Sequence, residues 1–157
     1  MRKEFIEQLT QLAEKDSKVI LIVGDVGFSF LEDFKAKFPK QFLNVGIMEQ
    51  CMMGFVAGLA HASFKPWVYT MSNFVLLRPL EQVRNDICFS NKNVKLISVK
   101  GSAAYAFLGI SHNLLPGEEE AILSTLPNLT KHFPTQENCK QIIRDEYERS
   151  GPSYIRL

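Results

Sequence analysis

The chain has 157 residues, of which 46% are hydrophobic and 22% are charged, and this composition excludes a disordered or fibrous protein. Its 18 Lys and Arg balance 17 Asp and Glu and are scattered, so the charge pattern gives no sign of a nucleic-acid or anionic-membrane surface. The length fits one domain over residues 1–157 that folds around a single core.

The cysteines and the N-terminal segment bear on the cellular compartment. The three cysteines are odd in number and widely spaced, which predicts free thiols with packing roles in a reducing cytoplasm. The N-terminal segment lacks the apolar core of a signal peptide, and no apolar run approaches the roughly 20 residues of a membrane span. We therefore expect a cytoplasmic protein that does not enter a membrane.

Hydrophobic periodicity predicts helices that alternate with strands. Apolar residues at helical spacing predict a helix at 5–13, and the uninterrupted apolar run 19–23 predicts a strand buried on both faces. The chain then continues with a helix at 30–38, a strand at 42–45, a helix at 48–62, a strand at 66–70, a helix at 73–89, a strand at 94–99, a loop at 101–117, a helix at 118–126, a strand at 129–133, a helix at 136–149 and a strand at 153–157. This order predicts a three-layer α/β/α fold around an open, mostly parallel sheet of about six strands.

Polar and glycine positions collect where the predicted strands end. Asp25, Gly46, Thr70 and Gly101 each fall at the end of a predicted strand. In open parallel sheets, ligands bind outside the carboxyl ends of the strands. We therefore expect a binding site at this edge of the sheet.

The segment 44–60, NVGIMEQCMMGFVAGLA, contains a single charged residue, Glu49, at the start of a glycine-punctuated apolar helix. Burying a carboxylate costs free energy unless it is hydrogen-bonded, so Glu49 needs a partner, which need not be part of the protein. Alternatively, Glu49 only complements the dipole at the helix N-terminus or caps the helix. The segment by itself leaves both roles open.

Several short motifs, taken in order, resemble the pyrimidine-binding domain of transketolase-like, thiamine diphosphate-dependent enzymes. The resemblance covers nearly the whole chain. Its motifs are Gly46-Ile47-Met48-Glu49-Gln50 with the glycines and alanines after it, Gly24-Asp25-Val26, Thr70 to Phe74 with Arg78 and 81–83, Gly109-Ile110-Ser111-His112, and the terminal segment 151–157.

The resemblance implies how the cofactor is activated. In these enzymes a glutamate shares a hydrogen bond with the ring nitrogen N1′ of the aminopyrimidine, and the exocyclic nitrogen then removes the thiazolium C2 proton. The resemblance gives this role to Glu49. It also implies that Phe74 stacks on the pyrimidine, with Met71 at a neighbouring position of the aromatic platform. Read without the resemblance, Phe74 is simply a core residue.

The remaining candidate residues also come from the resemblance. Three of them match positions near the cofactor, one matches a histidine near its reacting end, and three match positions on the substrate side. The cofactor group is Ile47, Asp25 and Val26, the catalytic histidine is His112, and the substrate group is Lys100, Ser29 and Arg2. Read without the resemblance, Asp25 and Ser29 are helix caps, Val26 is core, Arg2 is a solvated charge and His112 is a structural or exposed histidine.

The chain departs from the family pattern in two ways. It lacks the glycine-aspartate-glycine motif with a following asparagine that supplies oxygen ligands to Mg²⁺. The resemblance therefore implies a separately encoded diphosphate-binding subunit that provides those ligands, in an α₂β₂ heterotetramer. On the substrate side, Leu108 stands where the family has an aspartate for a sugar hydroxyl, a loss of about 1 to 3 kcal/mol of discrimination.

The resemblance thus implies the pyrimidine-binding subunit of a split transketolase-like enzyme that uses thiamine diphosphate and Mg²⁺. It would transfer a two-carbon ketol unit, or an acyl carbanion, to an acceptor in carbohydrate metabolism. Two alternatives stay open, the small subunit of a 2-oxo acid decarboxylase and a non-catalytic interaction module that kept the fold.

Overall fold

A computed structural model gives the structure of residues 1–99 and 103–157, with only the backbone for 103–105. In chain order the elements are α1 (Arg2–Lys15), β1 (Val19–Val23), α2 (Glu32–Lys37), β2 (Phe42–Asn44), α3 (Glu49–His61), β3 (Lys65–Met71), α4 (Ser72–Leu76), α5 (Leu80–Gln82), a π-helix (Val83–Phe89), β4 (Lys95–Val99), a 3₁₀ segment (Ala103–Ser111), α6 (Glu118–Ser124), β5 (Thr130–His132), α7 (Cys139–Glu148) and β6 (Ser153–Arg156). All six predicted strands are present, each within one residue of its predicted ends. No helix of the described residues is both long and apolar enough to cross a bilayer.

The six strands form one parallel sheet in the order β2-β1-β3-β4-β6-β5. The register aligns the strand ends, because Val23 pairs with Asn44 on one side and Tyr69 on the other, and Met71 pairs with Val99. The carboxyl ends of β1 to β4 therefore lie along one edge, as the sequence predicted. The predicted α/β/α fold is confirmed.

Helices cover both faces of the sheet, and this explains the uninterrupted apolar strands. Leu21 and Val23 pack on the side of α1 and α7, whereas Ile20 and Ile22 pack on the side of α3 and the π-helix. A strand covered on both faces needs apolar residues at successive positions, which produces the run at 19–23.

The predicted continuous helix at 73–89 is wrong. The structure divides it into α4, α5 and the π-helix, with a break at Leu77, Arg78 and Pro79. Proline lacks an N–H and its ring clashes with the carbonyl four residues earlier, so Pro79 ends α4. The backbone N–H groups of Leu77 and Arg78 both donate to the carbonyl of Asn73, which closes this helix end and turns Arg78 toward α3.

Two other expectations need correction. The predicted loop at 101–117 contains the 3₁₀ segment, and Gly109 interrupts it with a φ of 56° and a ψ of −146° that only glycine adopts readily. Cys88 and Cys139 are buried, in agreement with the predicted packing role, but Cys51 is exposed on α3. Lys100 and Gly101 lie outside the described residues.

Candidate active site at the carboxyl edge of the sheet

A cavity of about 460 Å³ opens at the carboxyl edge of the sheet. Its walls come from the ends of β1, β3 and β4, the first turn of α3, and the segments that hold Phe74 and His112. The predicted site residues that line it are Arg2, Asp25, Val26, Ile47, Glu49, Met71, Phe74 and His112. The chain thus brings together residues that are more than 100 positions apart in sequence.

Glu49 is the first residue of α3, and its side chain is 2% exposed. The partner that the sequence required is Arg78, whose Nη1 donates to both Oε1 and Oε2 of Glu49 at 2.8 Å. The position at a helix N-terminus also suits the carboxylate charge. Arg78 is 42% exposed, so the pair joins a buried anion to a cation at the cavity wall.

Phe74, on α4, contacts both Arg78 and His112. The guanidinium carbon of Arg78 lies 4.2 Å from the centroid of the Phe74 ring, so one face of the ring is covered by a planar cation. His112 contacts Phe74 edge-on, with ring centroids 5.1 Å apart and an interplanar angle of 74°. Arg78 therefore bridges the predicted activating carboxylate and the predicted stacking ring.

Asp25 reaches the cavity because Asn44 holds its loop. Asn44 Oδ1 accepts hydrogen bonds from the backbone N–H groups of Asp25 and Gly46, each at 3.0 Å, and Nδ2 donates to Asp25 Oδ1 at 3.3 Å. Asp25 has a φ of 56°, a left-handed backbone that Asp and Asn tolerate better than most residues. The amide of Asn44 thus joins the loops after β1 and β2, a role that the sequence analysis missed.

His112 follows the Gly109 turn, and α4 holds that turn against the cavity. Asn73 Nδ2 donates to the carbonyls of Ile110 at 3.2 Å and Ser111 at 2.7 Å. His112 lines both the main cavity and a smaller neighbouring cavity of about 350 Å³. Its ring therefore forms part of the wall between two accessible spaces.

Ser29 does not line the main cavity. Its backbone N–H donates to Glu32 Oε1 at 2.7 Å, but Ser29 is not the helix cap that the sequence also allowed, because the N-cap of α2 is Leu31. Arg2 lines the cavity from the first residue of α1, and Lys100 lies outside the described residues. The substrate role of these three residues stays a prediction.

A family model with the description "Transketolase, pyrimidine binding domain" matches residues 1–157. The chain belongs to this family. The resemblance inferred from the short motifs is therefore confirmed.

Relatives of this pyrimidine-binding domain include a transketolase subunit and a transketolase section. The chain is 34% identical to a subunit of apulose-4-phosphate transketolase from Phocaeicola vulgatus over 99% of its own length and 50% of the relative's. It is 31% identical to "Putative transketolase C-terminal section" of Methanocaldococcus jannaschii over 100% of its own length and 50% of the relative's. The chain thus spans about half the length of these curated relatives.

A solved structure with the description "Split gene transketolase, inactive beta4 tetramer" is 32% identical to the domain and superposes with a TM-score of 0.85. That likeness covers 99% of this chain and 50% of the other. A transketolase from Leishmania mexicana, at 21% identity and a TM-score of 0.83, supports the fold alone; there the likeness covers 99% of this chain and 24% of the other.

The cavity of the domain presents a carboxylate and an aromatic ring to one planar group. The Arg78 guanidinium, a planar group that bears N–H donors, lies over Phe74 and donates to Glu49. Apolar side chains of Val26, Met71 and Val99 line the same cavity. Within the described residues, no group of three or more His, Cys, Asp or Glu is arranged to hold a metal ion.

Arg78 is a second site residue whose role the sequence analysis missed. The motif that contains Arg78 did not indicate which residue it contacts. The helix was predicted to continue through position 78, and such a helix gives no reason to expect a contact with α3. Two signals were nevertheless present: a buried carboxylate requires a positive partner, and Pro79 marks a helix end directly after an arginine.

Proposed function

We propose that this chain is the pyrimidine-binding subunit of a split transketolase-like enzyme that uses thiamine diphosphate. The observation that carries this proposal is the buried Glu49 beside the Phe74 ring at one cavity. Thiamine diphosphate supplies a carbanion-stabilising centre when it is bound. The residues of this chain bind and orient the pyrimidine end of the cofactor.

Each side chain at the cavity has a proposed role. The Glu49 carboxyl hydrogen-bonds the pyrimidine nitrogen N1′ and holds a proton there, in the place that the Arg78 guanidinium takes in this structure. The Phe74 ring stacks on the pyrimidine, and Met71, Ile47 and Val26 exclude water from it. A planar group with N–H donors that replaces Arg78 would contact both the Glu49 carboxylate and the face of the Phe74 ring.

The remaining polar residues are proposed to contact either the cofactor or the substrate. His112 is proposed to face the substrate near the reacting end of the cofactor, because it borders the main cavity next to Phe74. Asp25 is proposed to contact the cofactor from the loop that Asn44 holds. Arg2, Ser29 and Lys100 are candidates for an anionic substrate group, and Arg2 has the best support because it lines the cavity.

We further propose that a separate subunit supplies the diphosphate and Mg²⁺ ligands. Large apolar side chains are exposed at the cavity and in the segment that precedes His112, and such a patch marks an interaction surface. These side chains are Phe28, Ile47, Phe107 and Ile110. Relatives whose names describe a transketolase subunit and a C-terminal section support this division of the enzyme, and we propose an α₂β₂ assembly.

The proposed reaction is the transfer of a two-carbon ketol unit in carbohydrate metabolism. Its support is the similarity to proteins named transketolase and, at 31% identity, to 1-deoxy-D-xylulose-5-phosphate synthase of Haemophilus influenzae. Because a split relative is described as an inactive β₄ tetramer, we expect this chain alone to be inactive.

The experiment combines this chain with the product of the adjacent reading frame and titrates the complex with thiamine diphosphate and Mg²⁺ by calorimetry. Phe74→Ala removes the proposed stacking ring and should weaken binding roughly tenfold or more, since a stacked aromatic contact contributes about 1 to 3 kcal/mol. Phe133→Ala is the matched control, because it removes a half-exposed ring that does not line the cavity, and it should bind like wild type. Equal affinities for Phe74→Ala and wild type would contradict the proposal.

One observation favours a second function. Arg78 occupies both Glu49 and Phe74, and a chain in which this contact is permanent would be a non-catalytic interaction module. The same titration separates the two functions. A complex that assembles with its partner but binds no cofactor, even after Arg78→Met, supports the interaction module.

A further inference from the structure

We propose that Ser111 is a positioning residue that fixes the tautomer of His112, with the proton on Nδ1 and the lone pair on Nε2. Ser111 Oγ lies 2.7 Å from the carbonyl oxygen of Leu108 and 2.8 Å from His112 Nδ1. Both contacts have the length of good hydrogen bonds. The hydroxyl proton can serve only one of them.

Counting protons decides which contact it serves. A serine hydroxyl carries one proton and two lone pairs, and a carbonyl oxygen can only accept. If the proton pointed at Nδ1, two oxygens would face each other at 2.7 Å with no proton between them. The proton therefore lies toward Leu108, and Ser111 Oγ accepts a hydrogen bond from His112. This arrangement requires a proton on Nδ1.

The surrounding turn holds these three groups in place. Leu108 ends a stretch of 3₁₀ backbone, and Gly109 turns the chain so that Ser111 Oγ returns to the Leu108 carbonyl. Asn73 Nδ2 donates to the carbonyl of Ser111 at 2.7 Å and anchors the turn to α4. The His112 ring is also fixed by its edge contact with Phe74. The serine is thus held by the backbone on one side and positions an imidazole on the other.

The consequence is chemical. A neutral imidazole with its proton on Nδ1 presents Nε2 as a hydrogen-bond and proton acceptor. Within the described residues, no hydrogen bond engages Nε2 of His112. If the chain has the function proposed above, on which this consequence rests, His112 accepts a hydrogen bond from a hydroxyl of the bound substrate. The opposite tautomer would present a donor instead.

The test is nuclear magnetic resonance of the isolated, ¹⁵N-labelled chain at about pH 8.5, where an ordinary histidine is neutral. Two-bond ¹H–¹⁵N correlations identify which ring nitrogen carries the proton, and His112→Gln assigns the signal. We expect Nδ1–H for His112. His132 is an internal reference with the opposite pattern, because its Nε2 lies 2.7 Å from Glu146 Oε1 and donates to it.

Variants at position 111 separate the effect of the hydroxyl group from the effect of side-chain size. Ser111→Thr keeps the hydroxyl and should keep Nδ1–H, whereas Ser111→Ala and the threonine-shaped Ser111→Val should move the major form to Nε2–H. Ser124→Ala is the matched control, since Ser124 also donates to the carbonyl three residues earlier, at 2.7 Å, but has no histidine beside it. It should leave the His112 signal unchanged.

A wild-type chain with Nε2–H, or a Ser111→Val chain that keeps Nδ1–H, would overturn the proposal. The wild-type spectrum decides the tautomer even where a variant fails to fold. No cofactor is present in this experiment, so the tautomer assignment can hold while the thiamine diphosphate titration fails. The reverse result, cofactor binding with an Nε2–H histidine, rejects the role of Ser111 and leaves the proposed function intact.

Discussion

Two buried carboxylates at opposite edges of the sheet have different surroundings. Glu49 and Glu146 are each 2% exposed. Glu146 contacts Lys95 Nζ at 3.1 Å, His132 Nε2 at 2.7 Å and the guanidinium of Arg149, which donates to it from two nitrogens at 2.9 to 3.1 Å. Glu49 has one partner among the described side chains, a single nitrogen of the half-exposed Arg78.

Two of the partners of Glu146 also donate hydrogen bonds to backbone carbonyls. Lys95 also donates to the backbone carbonyls of Arg149 and Gly151, and Arg149 donates to the carbonyl of Pro152. The Arg78 side chain has no comparable backbone bond among the described residues. Glu146 is therefore bound by several side chains of the fold, whereas we propose that a ligand replaces the single Arg78 contact of Glu49.

The largest expected effect is on the Glu146 cluster. Glu146→Gln removes the charge that compensates the buried Lys95, and breaking a buried ion pair in this way costs about 3 to 5 kcal/mol. Glu49→Gln leaves only the half-exposed Arg78 unpaired and should cost under about 1 kcal/mol. Urea unfolding of the two variants measures both values. Equal losses of stability would contradict the comparison.

Acid should weaken the Glu146 cluster. Burial alone would raise the pKa of Glu146, but hydrogen bonds from Arg149 and His132 outweigh it and lower the pKa to about 2 from the ordinary 4.5. A depressed carboxyl pKa stabilises the fold above pH 4.5, and this stability is lost as the pH falls toward 2. Glu146→Gln should therefore flatten the wild-type loss of stability in this range. An unchanged slope in urea unfolding at about pH 2.5 to 5 would count against this role.

Removing Arg78 should have an intermediate effect. Arg78→Met leaves the Glu49 carboxylate buried without a partner, which costs about 1 to 3 kcal/mol. Adding Glu49→Gln removes the uncompensated charge and should recover most of that loss. The double-mutant cycle is read from urea unfolding. Strictly additive losses would show that the two side chains are not coupled.

The smallest expected effect concerns Asn44. Asn44→Ala removes two hydrogen bonds to backbone N–H groups at the cavity mouth, and exposed bonds of this kind contribute about 0.5 to 1.5 kcal/mol in net terms. In this variant the backbone ¹H–¹⁵N signals of Asp25 and Gly46 should shift, with little change for β4. Unchanged signals at both residues would exclude Asn44 as the group that holds the loop.

The inner strand β1 could be predicted from sequence because helices cover both of its faces and every residue is buried, which gives a short apolar run with clear ends. The cavity position followed from the strand ends, and Glu49 stood out as a single charge in an apolar segment. Arg78 could not be placed in the same way. Its contact with Glu49 depends on how the chain continues after the Pro79 break, which is a property of tertiary structure.

Ser111 and Asn44 illustrate a second limit. Both act through short polar bonds to backbone groups in irregular segments, where neither periodicity nor composition indicates a partner. The Gly109 conformation that brings Ser111 back to Leu108 is likewise visible only in the backbone angles.

The most direct test of the central claim is the rate at which the C2 proton of bound thiamine diphosphate exchanges with solvent in the complex with the partner subunit. If Glu49 hydrogen-bonds the pyrimidine, Glu49→Gln should slow this exchange by a factor of about 100 or more, in the range of acid–base catalysis. Glu81→Gln, an exposed carboxylate on α5, should exchange like wild type. Equal exchange rates in Glu49→Gln and wild type, with cofactor bound in both, would contradict the account.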